Sequence, residues 1–192
     1  MRRAAHAARR RDTVYRWATL LLAVALVPVA RLAGGPGAGR HLACQWALGV
    51  RFPAEDLDGL APAARTAFEA ARTRALWRHG ELIGLTSGHR RPEQQAWMFA
   101  EAVRRTGSAA VARRRVLPPE ESQHVAGLAL DVRPAEGARW LEEHGGPHGL
   151  YRIYDNEWWH FEYRPEGRPV MLPHSGVTRR IDQFEMITAW TR

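Results

Sequence analysis

Two short stretches, far apart in this chain, carry side chains whose chemistry requires them to meet, and bringing them together is the strongest constraint on the fold. One is Ser122-Gln123-His124-Val125-Ala126-Gly127-Leu128-Ala129-Leu130-Asp131-Val132, and the other is Glu157-Trp158-Trp159-His160. His124 and Asp131 are seven residues apart, too far for one helical turn. That spacing asks for a loop turning into a strand, and Gly127 between them permits the turn. Glu157 and His160 are three apart, so on a straight strand they would face opposite sides. A bend or bulge near Trp158 is needed if both are to reach one point.

The set offers two imidazoles, one ligand carboxylate and a spare carboxylate. A structural zinc closes four ligands, usually with cysteines, and this chain has only Cys44. Histidines and carboxylates suit a catalytic zinc, with three protein ligands, an open position for water and a base beside it. Each residue alone is commonplace, because a lone histidine is far more often a core or surface residue than a ligand. The joint pattern carries the reading.

The elements around it are legible from periodicity. Asp58 to His79 reads as a helix with Pro62 in its first turn, Leu60, Ala64, Phe68, Ala71 and Ala75 on its core face, and Gly80 as the stop. Leu82 to Thr86 suits a buried strand ending in the turn Ser87-Gly88-His89-Arg90-Arg91-Pro92, followed by a helix from Glu93 to about Arg105. Side chains exposed at such a sheet edge commonly contact ligands, and the planar fork of Arg90 suits a carboxylate or a developing oxyanion. Residues 106–121 read as a loop, with Arg113-Arg114-Arg115 as a solvated face. Strands are expected at Gly127–Val132, Leu150–Tyr154 and Trp158–Tyr163, with a helix over Ala135–Gly145. Of the two adjacent tryptophans, one is expected in the core and the other at the pocket wall. Ile181 to Arg192 fits a helix or a strand equally. The expectation is one α+β domain, a small antiparallel sheet with flanking helices, over residues 51–192; a chain of 192 residues is too short for two comfortable domains.

A formal charge of +8 suggests nucleic acid until it is located. Six arginines against Asp12 precede residue 17, the rest is mildly basic, and no nucleic-acid-reading motif is present. Those arginines precede an uncharged run from Trp17 to Ala30, the layout of an export signal within residues 1–33. The run is short for a span, which wants ~20 residues, yet no clean small-x-small cleavage site follows. A retained anchor is therefore slightly favoured over a removed signal peptide, and either places the body outside the cytoplasm, because the arginines stay inside. Residues 34–50 read as a Gly/Pro-rich linker carrying Cys44 as an unpaired thiol. A single cysteine excludes an internal disulfide framework.

Three motifs in order, SxHxxGxAxD at Ser122–Asp131, ExWH at Glu157–His160, and Ser87-Gly88-His89-Arg90 with Gln95, resemble the zinc D-alanyl-D-alanine carboxypeptidases of the VanY type. These are kin to D-Ala-D-Ala dipeptidases and to phage endolysin peptidases. The resemblance spans about residues 55–165 and implies a hedgehog/D-Ala-D-Ala peptidase-like fold. It implies one Zn2+ per chain on His124, Asp131 and His160, Glu157 as general base, and Arg90 steadying the tetrahedral intermediate. Ser122, with Ser87 and Gln95, falls to substrate binding, Ser122 at the substrate's terminal carboxylate. The implied partners are peptidoglycan stem peptides and, through the N-terminal segment, the membrane, with no nucleic acid and no obligate protein partner. Location follows as the bacterial cell membrane with the catalytic domain outside, or secretion if the segment is cleaved. Two departures touch the rim: His89 stands for the usual tyrosine, and Pro118-Pro119-Glu120-Glu121 for a common Pro-Gly. Dipeptidase and L-Ala-D-Glu endopeptidase readings share the zinc set, and a zinc-containing wall-binding module is the non-enzymatic rival.

Overall fold

The computed structural model describes residues 2–35 and 37–177, with side chains described from residue 12 onward; the alternatives for 181–192 lie outside the described residues. Four short strands form one antiparallel sheet: β1 (Gly84–Ser87), β2 (Ala129–Arg133), β3 (Leu150–Arg152) and β4 (His160–Tyr163), in the order β1-β2-β4-β3. The α+β architecture expected from the sequence is the one observed.

The core lies where α3 (Pro62–Arg74) and α6 (Ala135–His144) cover one face of this sheet, with Phe68, Ala71, Ile83, Leu130, Leu141 and Phe161 packed together. Fully burying a side chain the size of Phe68 or Phe161 contributes about 1.5–3 kcal/mol. All five residues assigned to the core face of this helix are buried. The helix starts at Pro62 rather than Asp58, because Gly59 adopts φ +74°, a left-handed turn that a helix cannot contain. Its regular part ends at Arg74 and widens into a π turn, Ala75–His79, which Gly80 closes in the left-handed conformation. Beyond β1 comes α4 (Pro92–Thr106), then a short α5 (Ala109–Ala112) and a 3-10 turn, Pro119–Glu121, inside the stretch expected to be loop.

The linker over 34–50 needs correction. Residues 39–51 form α2 (Gly39–Arg51), whose Ala43, Cys44, Ala47 and Leu48 are buried. They pack with Phe52, Leu76 and Leu82 into a second cluster, so Cys44 sits in a core rather than a tether. Spacings of three and four hide in this stretch behind its neighbouring glycines. A buried ion pair adds to the join: Arg72 of α3 donates to both Glu55 oxygens at 2.7 and 2.9 Å, and Glu55 accepts the Leu85 N–H of β1 at 2.8 Å.

Ahead of this unit, α1 (Arg2–Gly34) buries Thr19, Ala23 and Ala30 and leaves Val14, Trp17, Leu21, Val24 and Leu32 exposed. Its segment Asp12–Gly34, 23 residues with a hydropathy of 1.8, is long and apolar enough to cross a membrane. Arg16 pairs with Glu81 at 2.7 Å and donates to the Gly80 carbonyl. Only 17% of the apolar window of this segment is buried against the rest of the protein.

Candidate metal centre

Strand register brings the two stretches together. Asp131 on β2 lies opposite His160 at the start of β4, and opposite Ser87 beyond an irregularity in the β1–β2 pairing. His124 arrives from the turns before β2, where Gly127 takes φ +70°. A Cβ on Gly127 would lie 2.6 Å from the Gly59 carbonyl and 2.8 Å from the Ala61 nitrogen, so both conformation and space demand glycine here. The bend needed near Trp158 is a turn, in which the His160 N–H donates to the Glu157 carbonyl at 3.3 Å. It delays β4 to residue 160 and lets Glu157 and His160 line the same cavity.

The donor atoms of His124, Asp131 and His160 lie within 4.8 Å of one another, and all three residues are buried. His160 Nδ1 is 3.0 Å and His124 Nε2 3.3 Å from Asp131 Oδ1. Two ligands each about 2.1 Å from a tetrahedral zinc stand about 3.4 Å apart, so the residues present fit such an ion. The remaining ring atoms are anchored. His124 Nδ1 is 2.7 Å from the Gly88 carbonyl, which can only accept, so Nδ1 carries the proton and Nε2 keeps its lone pair. His160 Nε2 faces Glu162 Oε1 at 3.4 Å, which leaves Nδ1 for a metal.

The electrostatics reflect this crowding. Burial alone would raise the Asp131 pKa, but its close contacts with the His124 and His160 imidazoles outweigh it and hold the carboxyl well below its ordinary range. Burial would lower His160, but Asp131 and Glu162 outweigh it and raise the imidazole above its usual value. His124 is lowered, chiefly by burial. Glu157 is raised, again chiefly by burial, and its Oε1 is buried with no hydrogen-bond partner. A buried carboxylate oxygen left free costs free energy unless a ligand uses it.

The cavity holding these groups has a volume of about 130 Å³, room for roughly four waters. Arg90, Gln95 and Ser122 line it and Ser87 does not. Ser87 Oγ accepts from Arg90 Nε at 2.9 Å, Gln95 Oε1 accepts from Nη1 at 3.3 Å, and Asp131 Oδ2 accepts from Nη2 at 2.7 Å. Ser87 and Gln95 thus hold the guanidinium in place. Trp159 lines the cavity while Trp158 is 44% exposed, so neither ring belongs to the core. His89 crowds Gly59 away from the cavity, and Glu121 pairs with Arg113.

Sequence reasoning passed over Arg115, Tyr154 and Ser175, which also line the cavity. Tyr154 lies against His160 with ring centroids 5.1 Å apart and planes tilted by 30°. Ser175 lies beyond the stretch covered by the motifs, and nothing in the local pattern signals it. Of the two carboxylates that flank the second motif, Glu162 faces a ligand histidine and Asp155 does not: the Asp155 side chain is 77% exposed and lies near Arg152.

No protein-family model matches the chain, and neither does any curated protein. Among solved structures, a vancomycin-resistance D,D-pentapeptidase, VanY of the VanB-type cassette, in complex with Zn(II), aligns at 25% identity and a TM-score of 0.49. The alignment covers 57% of this chain and 76% of that one. The LdcB LD-carboxypeptidase aligns at 23% identity and a TM-score of 0.48, covering 54% and 58% respectively. DacB from Streptococcus pneumoniae D39 aligns at 23% identity and 0.45, covering 58% and 71%. In its three ordered motifs the chain is similar to the zinc carboxypeptidases of the VanY type, and the fold brings His124, Asp131, Glu157, His160 and Arg90 of those motifs to one cavity.

Proposed function

We propose that this chain is a zinc-dependent D-alanyl-D-alanine carboxypeptidase that hydrolyses the terminal D-Ala from peptidoglycan stem peptides. The observation that carries the reading is Glu157: a buried carboxyl with one free oxygen, sharing a cavity with a His-Asp-His set whose donor atoms converge. His124 Nε2, Asp131 Oδ1 and His160 Nδ1 would hold a zinc ion, which when bound would supply Lewis acidity and lower the pKa of water towards ~7. The free carboxyl oxygen of Glu157 would accept the proton of a water attacking the amide, and the same carboxyl would deliver it to the leaving amine. The raised pKa of Glu157 suits both halves of this exchange. Arg90, held by Ser87, Gln95 and Asp131, places positive charge beside the developing oxyanion. Ser122, 7% exposed in the cavity wall, offers a hydroxyl to the substrate.

The wall-binding module is the second reading, and Glu157 weighs against it, since holding zinc alone needs no free buried carboxylate. The length and apolarity of Asp12–Gly34 support a body held at the membrane by a retained anchor, or exported by a signal that is then removed. The reading is tested by incubating zinc-loaded protein with a pentapeptide stem. Release of free D-alanine supports it. Release of D-Ala-D-Ala from the stem, cleavage at L-Ala-D-Glu, hydrolysis only of the free dipeptide, or action only on a tetrapeptide would replace it with a neighbouring peptidase class. No cleavage by protein holding stoichiometric zinc would favour the binding module.

A further inference from the structure

The cavity contains a second guanidinium that the chemistry above does not use. Arg90 spends three of its nitrogens on Ser87, Gln95 and Asp131. Arg115 lines the same cavity from the opposite loop, is exposed, and makes no hydrogen bond or ion pair through its guanidinium among the described residues. Its charge reaches far enough to act on Glu157. It also lines the adjoining groove, which it shares with Met98 and Val116. Arg115 therefore stands at the junction between the metal centre and the next open surface.

The loop that carries it is pinned. The Arg113 guanidinium pairs with Glu121, the Arg113 carbonyl accepts from Ser175 Oγ at 2.7 Å, and the Arg114 carbonyl accepts from Asn156 Nδ2 at 3.2 Å. Leu117, two residues on, accepts from Gln95 Nε2 at 2.7 Å. Four tethers, one to Glu121 within the same loop and three to separate segments, fix the backbone around a side chain that itself has no partner among the described residues. A solvated surface arginine does not require such fixing, whereas a guanidinium that must meet a planar anion at a set place does.

We propose that Arg115 is a specificity-determining residue that binds a carboxylate of the peptide substrate. This rests on the peptidase reading for the nature of the ligand, but not for the existence of the site. In a stem peptide the carboxylate has two sources, the free C-terminus and the α-carboxylate of a γ-linked D-glutamate. A partly exposed charge-assisted pair of this kind is expected to change affinity about tenfold.

The test is calorimetric binding of three ligands to zinc-loaded protein in the Glu157→Gln background, so that none is consumed, with hydrolysis followed separately in protein that keeps Glu157: the pentapeptide stem, its C-terminal amide, and the form amidated at D-glutamate. In that background, protein with Arg115 intact is expected to bind one of the two amides about tenfold more weakly than the parent peptide, and the amide that weakens identifies the carboxylate. Arg115→Gln should bind the parent as weakly as the Arg115 protein binds that amide, should no longer distinguish the two, and should hold the same zinc. Arg115→Lys should recover part of the difference. The proposal is overturned if Arg115→Gln binds the parent as tightly as the Arg115 protein does, if neither amide weakens binding to the Arg115 protein, or if the Arg115 protein binds none of the three. Tight, Arg115-dependent binding without hydrolysis would sink the peptidase reading and leave this one standing; hydrolysis without Arg115 dependence would do the reverse.

Discussion

Replacing Glu162 by glutamine keeps the side-chain shape and removes its charge, which isolates the carboxylate's effect on the metal centre. Glu162 is 1% exposed, its Oε1 lies 3.4 Å from His160 Nε2, and its Oε2 accepts from Arg164 Nε at 2.9 Å. Carboxylates that orient a ligand histidine in this way typically contribute 10–100-fold to metal affinity. At 3.4 Å the bond is near the long end of useful geometry, so the lower figure applies: about tenfold in the zinc dissociation constant, or ~1.4 kcal/mol. By linkage, at free zinc well above both constants, the stability gap between zinc-loaded and chelated protein shrinks by the same ~1.4 kcal/mol. For a chain of this size that is about 3–5 °C in the difference between the two melting temperatures. The weaker pairing with Arg164 lowers both states together and cancels in that difference. Competition with a chromophoric chelator gives the affinity, and melting curves with and without chelator give the gap. Unchanged zinc affinity with both melting temperatures falling in parallel would show Glu162 to be a packing residue only.

Four further outcomes are expected. Glu157→Gln should hold zinc as the wild type does yet lose about 10²–10⁴-fold in hydrolysis rate; metal analysis alongside D-alanine release checks it, and unchanged turnover would assign the base elsewhere. Gly127→Ala must enter a positive-φ conformation against the Gly59 carbonyl, at about 1–3 kcal/mol, and should lower the melting temperature by several degrees. Cys44, pushed up to about 11 chiefly by burial, should be alkylated at pH 8 roughly 200-fold more slowly than a free thiol; rapid labelling of the native protein would return residues 39–51 to a linker. Zinc affinity should keep rising with pH beyond the ordinary histidine range, because a ligand imidazole must shed its proton and His160 holds it with raised affinity. The sign for the metal-free fold is opposite: the His160 contribution is fully present below its unfolded pKa and fades as pH rises through the raised folded value. The gap between loaded and apo melting temperatures should therefore widen from pH 7 upward, and a constant gap would mean that His160 is neutral in the apoprotein.

The parts of this molecule that could be read from its sequence are those encoded over short spans. The core face of α3 follows from a repeat of three and four residues, and the turn at Trp158 from the need to bring Glu157 and His160 to one point. The parts that could not be read depend on distant partners. Gly34 to Gly39 looks like the start of a tether, and only the packing of Cys44 and Leu48 against Leu76 and Leu82 shows that the following residues are helix and core. Three consecutive arginines look solvated, and only the staples to Ser175, Asn156 and Gln95 show that Arg115 is held over the cavity.

The number of donor atoms at the centre is itself set by such distant partners. Each of the three residues that converge here has two atoms capable of binding a metal, and in each one is already engaged. The Gly88 carbonyl occupies His124 Nδ1, Glu162 faces His160 Nε2, and Arg90 Nη2 occupies Asp131 Oδ2. That leaves His124 Nε2, His160 Nδ1 and Asp131 Oδ1, three single atoms that would hold one ion and leave it a position for water. Were Arg90 absent, Asp131 could bind through both oxygens and close the position that the reaction needs. Arg90 then has two tasks at once, oxyanion charge on one side and a one-atom aspartate on the other. Its substitution should therefore disturb the coordination spectrum of a cobalt-substituted centre as well as the rate, whereas loss of an oxyanion contact alone would change only the rate.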